Sequence, residues 1–577
     1  MNFYTKIFKL FSKKLHINFF FIFILQLINA FLEIFSFVLI LPILKVLIDK
    51  NFFNNFYNLI NHYWQITIFN EIDYNEFLLI FSGFIIFIYF IKSTVTLLIN
   101  FRVSQFIKKL KIYLSDKLLR SSLFSYHFNL NRSSSSVVIR TVLGDVSAVC
   151  ENVVTSFLNT MTDIILLIFI LSFVFYVQPL GSIISFFVFL STVFLFSKMT
   201  SSQLKKITII HQTSQSKLIE NIQNIYRNIK EIKIFKKELF FLSLYNENLN
   251  KSENANINYK VFGALPKIIY EFIGVVVIML FFLIAIKTAS SSNDVILQMS
   301  VIAICAFRII PAASRISGNI TNMKYSKASV DILSENFKKI KDQYLFSSSS
   351  NNKKTFLKLK FSNVFFSYKN PYKEIFKDIN IEINKGDKIG IIGRSGVGKT
   401  TFLEILCGLI SPDKGIVRVY DNKNKNYKTN VDFFTYVSQD VILIDGSLKN
   451  NIGFGIQEKL IDLKKIEHVC KVTDLSDLLN NLDNKLDTQI GELGSKLSGG
   501  QKQRISIARA LYFDREIIIL DEATSALDFK TEKNILNNLK LSYPEKTLII
   551  ISHREKSLSF CNKIFEVKNC KISEKSS

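Results

Sequence analysis

The sequence predicts a multidomain chain, a six-helix α-helical transmembrane bundle followed by an α/β domain built on a glycine-rich phosphate-binding loop. Three observations carry this expectation. The first half holds six apolar stretches long enough to cross a bilayer, for which about 20 residues suffice. The second half changes to short apolar strands, glycine turns and amphipathic helices. Within it "GRSGVGKTT" lies between the strand-like "DKIGII" and the helical "FLEILCGL".

Composition sets the outer bounds. With 577 residues and 49% hydrophobic content the chain exceeds one ordinary domain, and a mean hydropathy of +0.25 is too apolar for a purely soluble protein. The formal charge of +25 comes with no nucleic-acid-binding module, and basic residues also gather on the cytoplasmic faces of membrane proteins, so nucleic acid is not an expected partner. Cys150, Cys305, Cys407, Cys470, Cys561 and Cys570 show neither paired spacing nor a CxxC motif and read as reduced thiols.

The expected spans lie near Ile17–Ile48, Phe77–Asn100, Val153–Tyr176, Leu180–Phe196, Ile268–Ile286 and Val295–Ile310. Before the first, Lys6, Lys9, Lys13 and Lys14 mark a basic interfacial lead-in rather than a cleaved signal. Lys and Arg crowd 101–140 and 198–237, whereas 177–179 has none and 287–294 only Lys287. The positive-inside rule therefore places both termini in the cytoplasm. The basic connections 101–150 and 198–264 read as continuous helices that extend the spans. The expected division is a transmembrane domain 1–340, a linker 341–355 containing "SSSSNN", and an α/β domain 356–577.

The second half carries the chemistry. In the loop Gly393, Arg394, Ser395, Gly396, Val397 and Gly398, the glycines let backbone N–H groups close around phosphate oxygens at a helix N-terminus. Lys399 reaches the β- and γ-phosphates, Thr400 can ligate Mg²⁺, and Thr401 continues the helix start. Further on, "EIIILDEATSALD" ends an apolar strand in Asp521, suited to hold the metal ion, and Glu522, suited to polarise the attacking water. Between them "LSGGQKQR" opens a helix with Ser498, Gly499, Gly500 and Gln501, whose N-terminus can hold a phosphate.

With these motifs in this order, the second half resembles the nucleotide-binding domain of an ATP-binding cassette (ABC) protein. The resemblance implies ATP and Mg²⁺ as cofactors. It makes Tyr368 in "VFFSYKN" the aromatic residue on adenine and Gln439 in "FTYVSQD" the glutamine between Mg²⁺ and the membrane domain. It makes Asp528 in "SALD" an acid that communicates across a dimer, and His553 in "IISHRE" a γ-phosphate contact, although Glu555 then fills a place that is often apolar in the family. In that family the signature helix of one domain closes the nucleotide on the phosphate loop of another. One complete set of motifs per chain thus implies a particle of two chains, and because no catalytic position is degenerate a homodimer with two competent sites is favoured over a heterodimer with one dead site. The whole chain resembles an exporter-type half-transporter of the cytoplasmic (inner) membrane. The stretches "AFLEIFSFVLILPIL", "ALPKIIYEF" and "AFRIIPAASRI" are most similar to flippases of lipid-linked oligosaccharides.

Lys92, Lys267 and Arg308 fall at comparable depth in the second, fifth and sixth spans. Two readings fit them: a cation belt for a diphosphate headgroup, or side chains that snorkel to the inner interface or pair with Glu33, Asp163 or Glu271. The connection "NFFNNFYNLINHYW" places Phe52, Phe53, Phe56, Tyr57, Leu59, Ile60, Tyr63 and Trp64 at spacings of three and four, an amphipathic helix with an aromatic face fit for a polyprenyl tail or a membrane anchor. Three functions remain open at this stage: an ATP-hydrolysing flippase of a lipid-linked saccharide, an exporter of another lipid, drug or peptide, and a nucleotide-gated channel or regulator.

Overall fold

A computed structural model describes residues 3–39, 74–124, 135–177, 179–288, 292–341, 355–369, 372–422, 425–428, 431–552 and 558–575. The described residues divide into two compact units, one within 3–341 and the other within 355–575. The aromatic segment 52–64, the linker 342–354 and His553 lie outside the described residues.

The first unit is helical: α1 Phe3–Leu10, α2 Lys13–Val38, α3 Tyr74–Phe124, α4 Ser135–Arg140, α5 Ser156–Val177, α6 Pro179–Arg227, α7 Ile229–Ile234, α8 Glu238–Thr288, α9 Ser292–Tyr325 and α10 Lys327–Lys341. Five described helical stretches are long and apolar enough to cross a membrane. The remaining expected span, the fourth, Leu180–Phe196, lies in α6, where several side chains fall outside the described residues. Large apolar side chains such as Phe20, Phe31, Leu79 and Phe90 face outward, which hydrocarbon tolerates because lipid is as apolar as the side chains themselves. Pro266 and Pro311 sit inside unbroken helices, as membrane helices allow.

The basic connections are helical but not continuous. Asn228 leaves the helical region and Lys236 takes a left-handed φ of +52°, so the chain turns between α6, α7 and α8. Between α4 and α5 the helix widens into π-type turns at Thr141–Asp145 and Ala148–Thr155. There Asp145 pairs with Arg140 at 3.2 Å and accepts hydrogen bonds from the Ser329 hydroxyl at 2.7 Å and the Gln212 amide at 3.1 Å. The lead-in α1 buries Ile7 and Leu10 against Leu110, Leu114 and Leu333, and Lys6 pairs with Asp331.

The second unit has two sheets. The first, in the order β2-β1-β4-β5, is antiparallel and comprises β1 Lys358–Lys369, β2 Tyr372–Asn384, β4 Lys414–Tyr420 and β5 Asn426–Lys428. The second has the order β10-β9-β3-β8-β7-β6, from β3 Lys388–Ile392, β6 Phe434–Val437, β7 Ile517–Asp521, β8 Thr547–Ile551, β9 Lys563–Lys568 and β10 Lys571–Glu574. Its pairs are parallel except at the β9/β10 edge. The runs "IIILD" and "TLIII" are buried at every position, as central parallel strands covered on both faces require. The helices of this unit include α11 Lys399–Leu406, α12 Leu448–Ile452, α13 Leu463–Val472, α14 Gly499–Tyr512 and α15 Phe529–Ser542, with a further short helix at Ser476–Asn480.

Candidate functional site

In open parallel sheets the ligand crevice lies beyond the carboxyl ends of the strands. The segments after β3, β6 and β7 here form one cleft of about 400 Å³, lined by Tyr368, Lys373, Ile375, Ser395, Gly396, Gly398, Lys399, Thr400, Thr401, Gln439, Asp521 and Glu522. Residues far apart in sequence but matched by the motifs therefore share one wall.

The loop after β3 depends on glycine at two tight points. Gly398 has φ +112°, and a Cβ there would sit 2.6 Å from Ile375 Cγ2; one on Gly393 would sit 2.8 Å from the Val567 carbonyl oxygen. Lys399 Nζ donates to the Gly393 carbonyl at 2.7 Å and the Arg394 carbonyl at 3.2 Å, so the ammonium lies across the loop it follows. Burial draws its pKa below the usual lysine range, opposed by the carboxylates of Glu522 and Asp521. The Tyr368 hydroxyl lies 3.0 Å from Thr401 Oγ1, which fixes the ring beside the cleft.

At the end of β7, Asp521 Oδ2 accepts a 2.7 Å hydrogen bond from the Tyr436 hydroxyl. Burial pushes the Asp521 pKa up and the neighbouring Glu522 adds to this, while Tyr436 and Lys399 oppose it. Glu522 has a left-handed φ of +49°, and its N–H donates to the Ile551 carbonyl at 3.0 Å. Such a conformation costs a non-glycine residue on the order of 1–3 kcal/mol and gathers at functional sites.

The signature stretch starts α14 as expected, with Ser498 as its N-cap. The Ser498 hydroxyl accepts from the Gln501 N–H at 3.3 Å, and Gln501 Oε1 accepts from the Ser498 N–H at 2.8 Å. None of Ser498, Gly499, Gly500 and Gln501 lines the cleft. Gln503 binds the segment after Glu522, donating to Ser525 Oγ at 3.1 Å and accepting from the Ala526 N–H at 2.9 Å. Arg509 Nε donates to the Asn451 carbonyl at 2.8 Å, tying α14 to the segment that follows Gln439. Asp528 caps α15 by accepting from the Thr531 N–H at 3.0 Å, and that bond holds its carboxyl below the usual range.

In the helical unit, Lys92 lies 3.9 Å from Glu33, and Arg308 is near enough for its charge to act on Lys92. Lys267 has a different partner, Glu271, at 3.9 Å one turn along the same helix. Asp163 is taken by Arg315, whose Nε lies 3.0 Å from Oδ1 and 3.2 Å from Oδ2 while Nη2 lies 2.6 Å from Oδ1. Arg315 was not expected from the sequence. Its signal was present in "AFRIIPAASRI", because a residue two turns beyond Arg308 shares its helix face. Tyr436, Gln503 and Arg509 also escaped sequence reasoning: a single Tyr, Gln or Arg announces no partner.

A helical unit able to cross a membrane, joined to an α/β unit with a phosphate loop, a strand-end Asp–Glu pair and a capped signature helix, defines an ATP-driven membrane transporter. The chain belongs to the ABC transporter family: the ABC transporter transmembrane region matches residues 19–312 and the ABC transporter domain matches 376–525. An ATP-dependent lipid A-core flippase from Cupriavidus pinatubonensis is 23% identical over 81% of this chain and 78% of its own length. One from Vibrio parahaemolyticus is 36% identical over 37% of each chain. An ATP-bound bacterial Atm1-family ABC exporter shares the fold, with TM-score 0.76, 17% identity and coverage of 98% of this chain and 95% of that one. The protein is an ATP-driven ABC exporter that spans a membrane, binds ATP and couples its hydrolysis to transport.

Proposed function

We propose that this exporter works as a homodimer in the cytoplasmic membrane and flips a polyprenyl-diphosphate-linked oligosaccharide. The observation that carries this reading is an excess of positive charge among the spans. Lys92 is matched by Glu33 and Arg315 by Asp163, with Glu33 also acting on the second pair. Among the described residues Arg308 has no acid within ion-pair distance. A half-buried cation that structure alone does not compensate suits an anionic headgroup, and a guanidinium offers two parallel hydrogen bonds to a phosphate. The lipid A-core flippase relatives support a lipid cargo in general.

In the nucleotide cleft the ring of Tyr368 supports adenine, the N–H groups of 393–398 and Lys399 take the phosphates, and Glu522 orients the attacking water, with His553 assigned to the γ-phosphate. Thr400, Gln439 and Asp521 bring hydroxyl, amide and carboxylate oxygens to one wall, a hard donor set that fits Mg²⁺. When bound, Mg²⁺ neutralises phosphate charge. Because the signature residues do not line their own chain's cleft, Ser498 and Gly500 of a second copy complete each site.

The test is lipid flipping by purified Arg308→Ala in reconstituted vesicles, read beside melting temperature and basal ATPase. Transport of the diphosphate-linked cargo is expected to be lost with stability and hydrolysis retained, and Arg308→Lys to be intermediate because the fork is gone but the charge stays. Lys92→Ala and Lys267→Ala, each already screened by an acid, retain more transport. Arg315→Ala behaves differently: it strands Asp163, whose side chain is only 8% exposed, and lowers stability by about 1–3 kcal/mol. Full transport by Arg308→Ala removes the cargo assignment.

A further inference from the structure

The bond between Tyr436 and Asp521 joins two strands and two parts of the nucleotide cleft. Tyr436 is on β6, the edge strand of the parallel sheet, three residues before Gln439; Asp521 ends the neighbouring β7. The parallel register pairs Tyr436 with Ile519 and Val437 with Leu520, so the tyrosine hydroxyl reaches forward along the sheet to the carboxylate beyond. The distance is 2.7 Å, and the contact spans 85 positions of sequence. The residue is 46% exposed and also borders a separate, mainly apolar cavity of about 200 Å³ that includes Leu403, Cys407 and Phe434, so the 2.7 Å hydrogen bond is what fixes its hydroxyl. Thr400 lines both this cavity and the cleft. The Tyr436 hydroxyl thus engages Oδ2 of a carboxylate that also lines the nucleotide cleft.

We propose that Tyr436 is a positioning residue for the metal-holding carboxylate, fixing the rotation of Asp521 so that one oxygen faces the position flanked by Thr400 and Gln439. The inference rests on the reading of Thr400, Gln439 and Asp521 as the Mg²⁺ donors. A carboxylate held by a neutral donor on one oxygen keeps its charge and loses its rotational freedom, which preorganises it. Phenylalanine at 436 keeps the ring and its packing and removes only the hydroxyl.

The test uses full-length detergent-purified protein, a nonhydrolysable ATP analogue as probe, and the analogue-induced rise in melting temperature measured in EDTA and across a Mg²⁺ titration. Tyr436→Phe is expected to match the wild type without nucleotide and with the analogue in EDTA. It should need roughly tenfold more Mg²⁺ for half of the metal-dependent rise, the effect of one charge-assisted hydrogen bond. An unchanged Mg²⁺ requirement overturns the inference, whatever happens to stability. An equal loss of analogue affinity in EDTA and in Mg²⁺ also overturns it, since the bond would then only support the cleft wall. A wild type indifferent to Mg²⁺ removes the metal reading and this inference together, whereas a Mg²⁺-dependent wild type with an indifferent Tyr436→Phe removes this inference alone.

Discussion

Glu522 occupies a backbone conformation that most residues avoid, at φ +49°, immediately after a strand whose every residue is buried. Strain of this kind persists only where the surroundings dictate it; here the Glu522 N–H is held by the Ile551 carbonyl of the next strand. If its carboxylate orients the attacking water, Glu522→Gln keeps ATP binding but lowers turnover by about 10²–10⁴-fold, the usual worth of a general base. Lys399→Ala acts earlier, weakening binding itself. Equilibrium binding and steady-state hydrolysis measured on both variants separate the two roles, and near-normal turnover by Glu522→Gln would sink the assignment. These two residues could be found in the sequence because each sits in a short motif whose neighbours, glycines before the lysine and an apolar strand before the glutamate, create its environment. Tyr436 could not, because its partner lies 85 positions away and is set by strand register; for Arg315 the helix face was legible, but not its partner Asp163, 152 positions away and brought there by helix packing.

At the scale of the element, the phosphate loop is shaped by what lies behind it. Gly398 directly precedes α11, and a methyl group there would meet both the Ile375 side chain at 2.6 Å and the Phe376 ring at 3.3 Å, in a conformation that disfavours any L side chain. Gly398→Ala is therefore expected to cost about 1–3 kcal/mol locally and to deform the start of α11. The measurement is ATP affinity together with melting temperature: affinity should fall at least tenfold, and wild-type affinity in the alanine variant would show that the loop does not need this backbone. The strands β7 and β8 were legible as unbroken apolar runs because both of their faces are buried, and the membrane helices because the lipid they face is as apolar as a core. The π-type turns at Thr141–Asp145 and Ala148–Thr155 were not: nothing in "TVLGD" or "AVCENVVT" sets it apart from an ordinary helix. Their neighbourhood instead holds Asp145 in a buried network with Arg140, Gln212 and Ser329, a tertiary arrangement that only folding assembles. Likewise the turn at Lys236 interrupts a basic stretch whose composition reads as helix throughout.

At the scale of the molecule, the cleft and the signature helix lie apart within one chain, the arrangement expected if two copies share each proposed nucleotide site. Tyr368, the phosphate loop, Gln439, Asp521 and Glu522 share a wall, while Ser498 caps α14 elsewhere in the same unit. If two copies face each other with twofold symmetry, Lys399 of one chain works with Ser498 of its partner, and the reverse. This makes a mixing experiment decisive. Lys399→Ala and Ser498→Arg homodimers each carry one lesion in both of their sites, so each alone is expected to be nearly inactive. Co-expressed chains form mixed dimers in which both lesions fall in one site and the other site is intact. Random assembly makes about half of the dimers mixed, and half of their sites are whole, so about a quarter of wild-type ATPase should return if the sites act independently. A site closed within a single chain predicts no recovery, because every chain remains damaged. Obligate alternation between the two sites also suppresses recovery, so the same samples are cross-linked: mixed dimers without activity indicate alternation, and monomers under turnover conditions remove the shared site altogether.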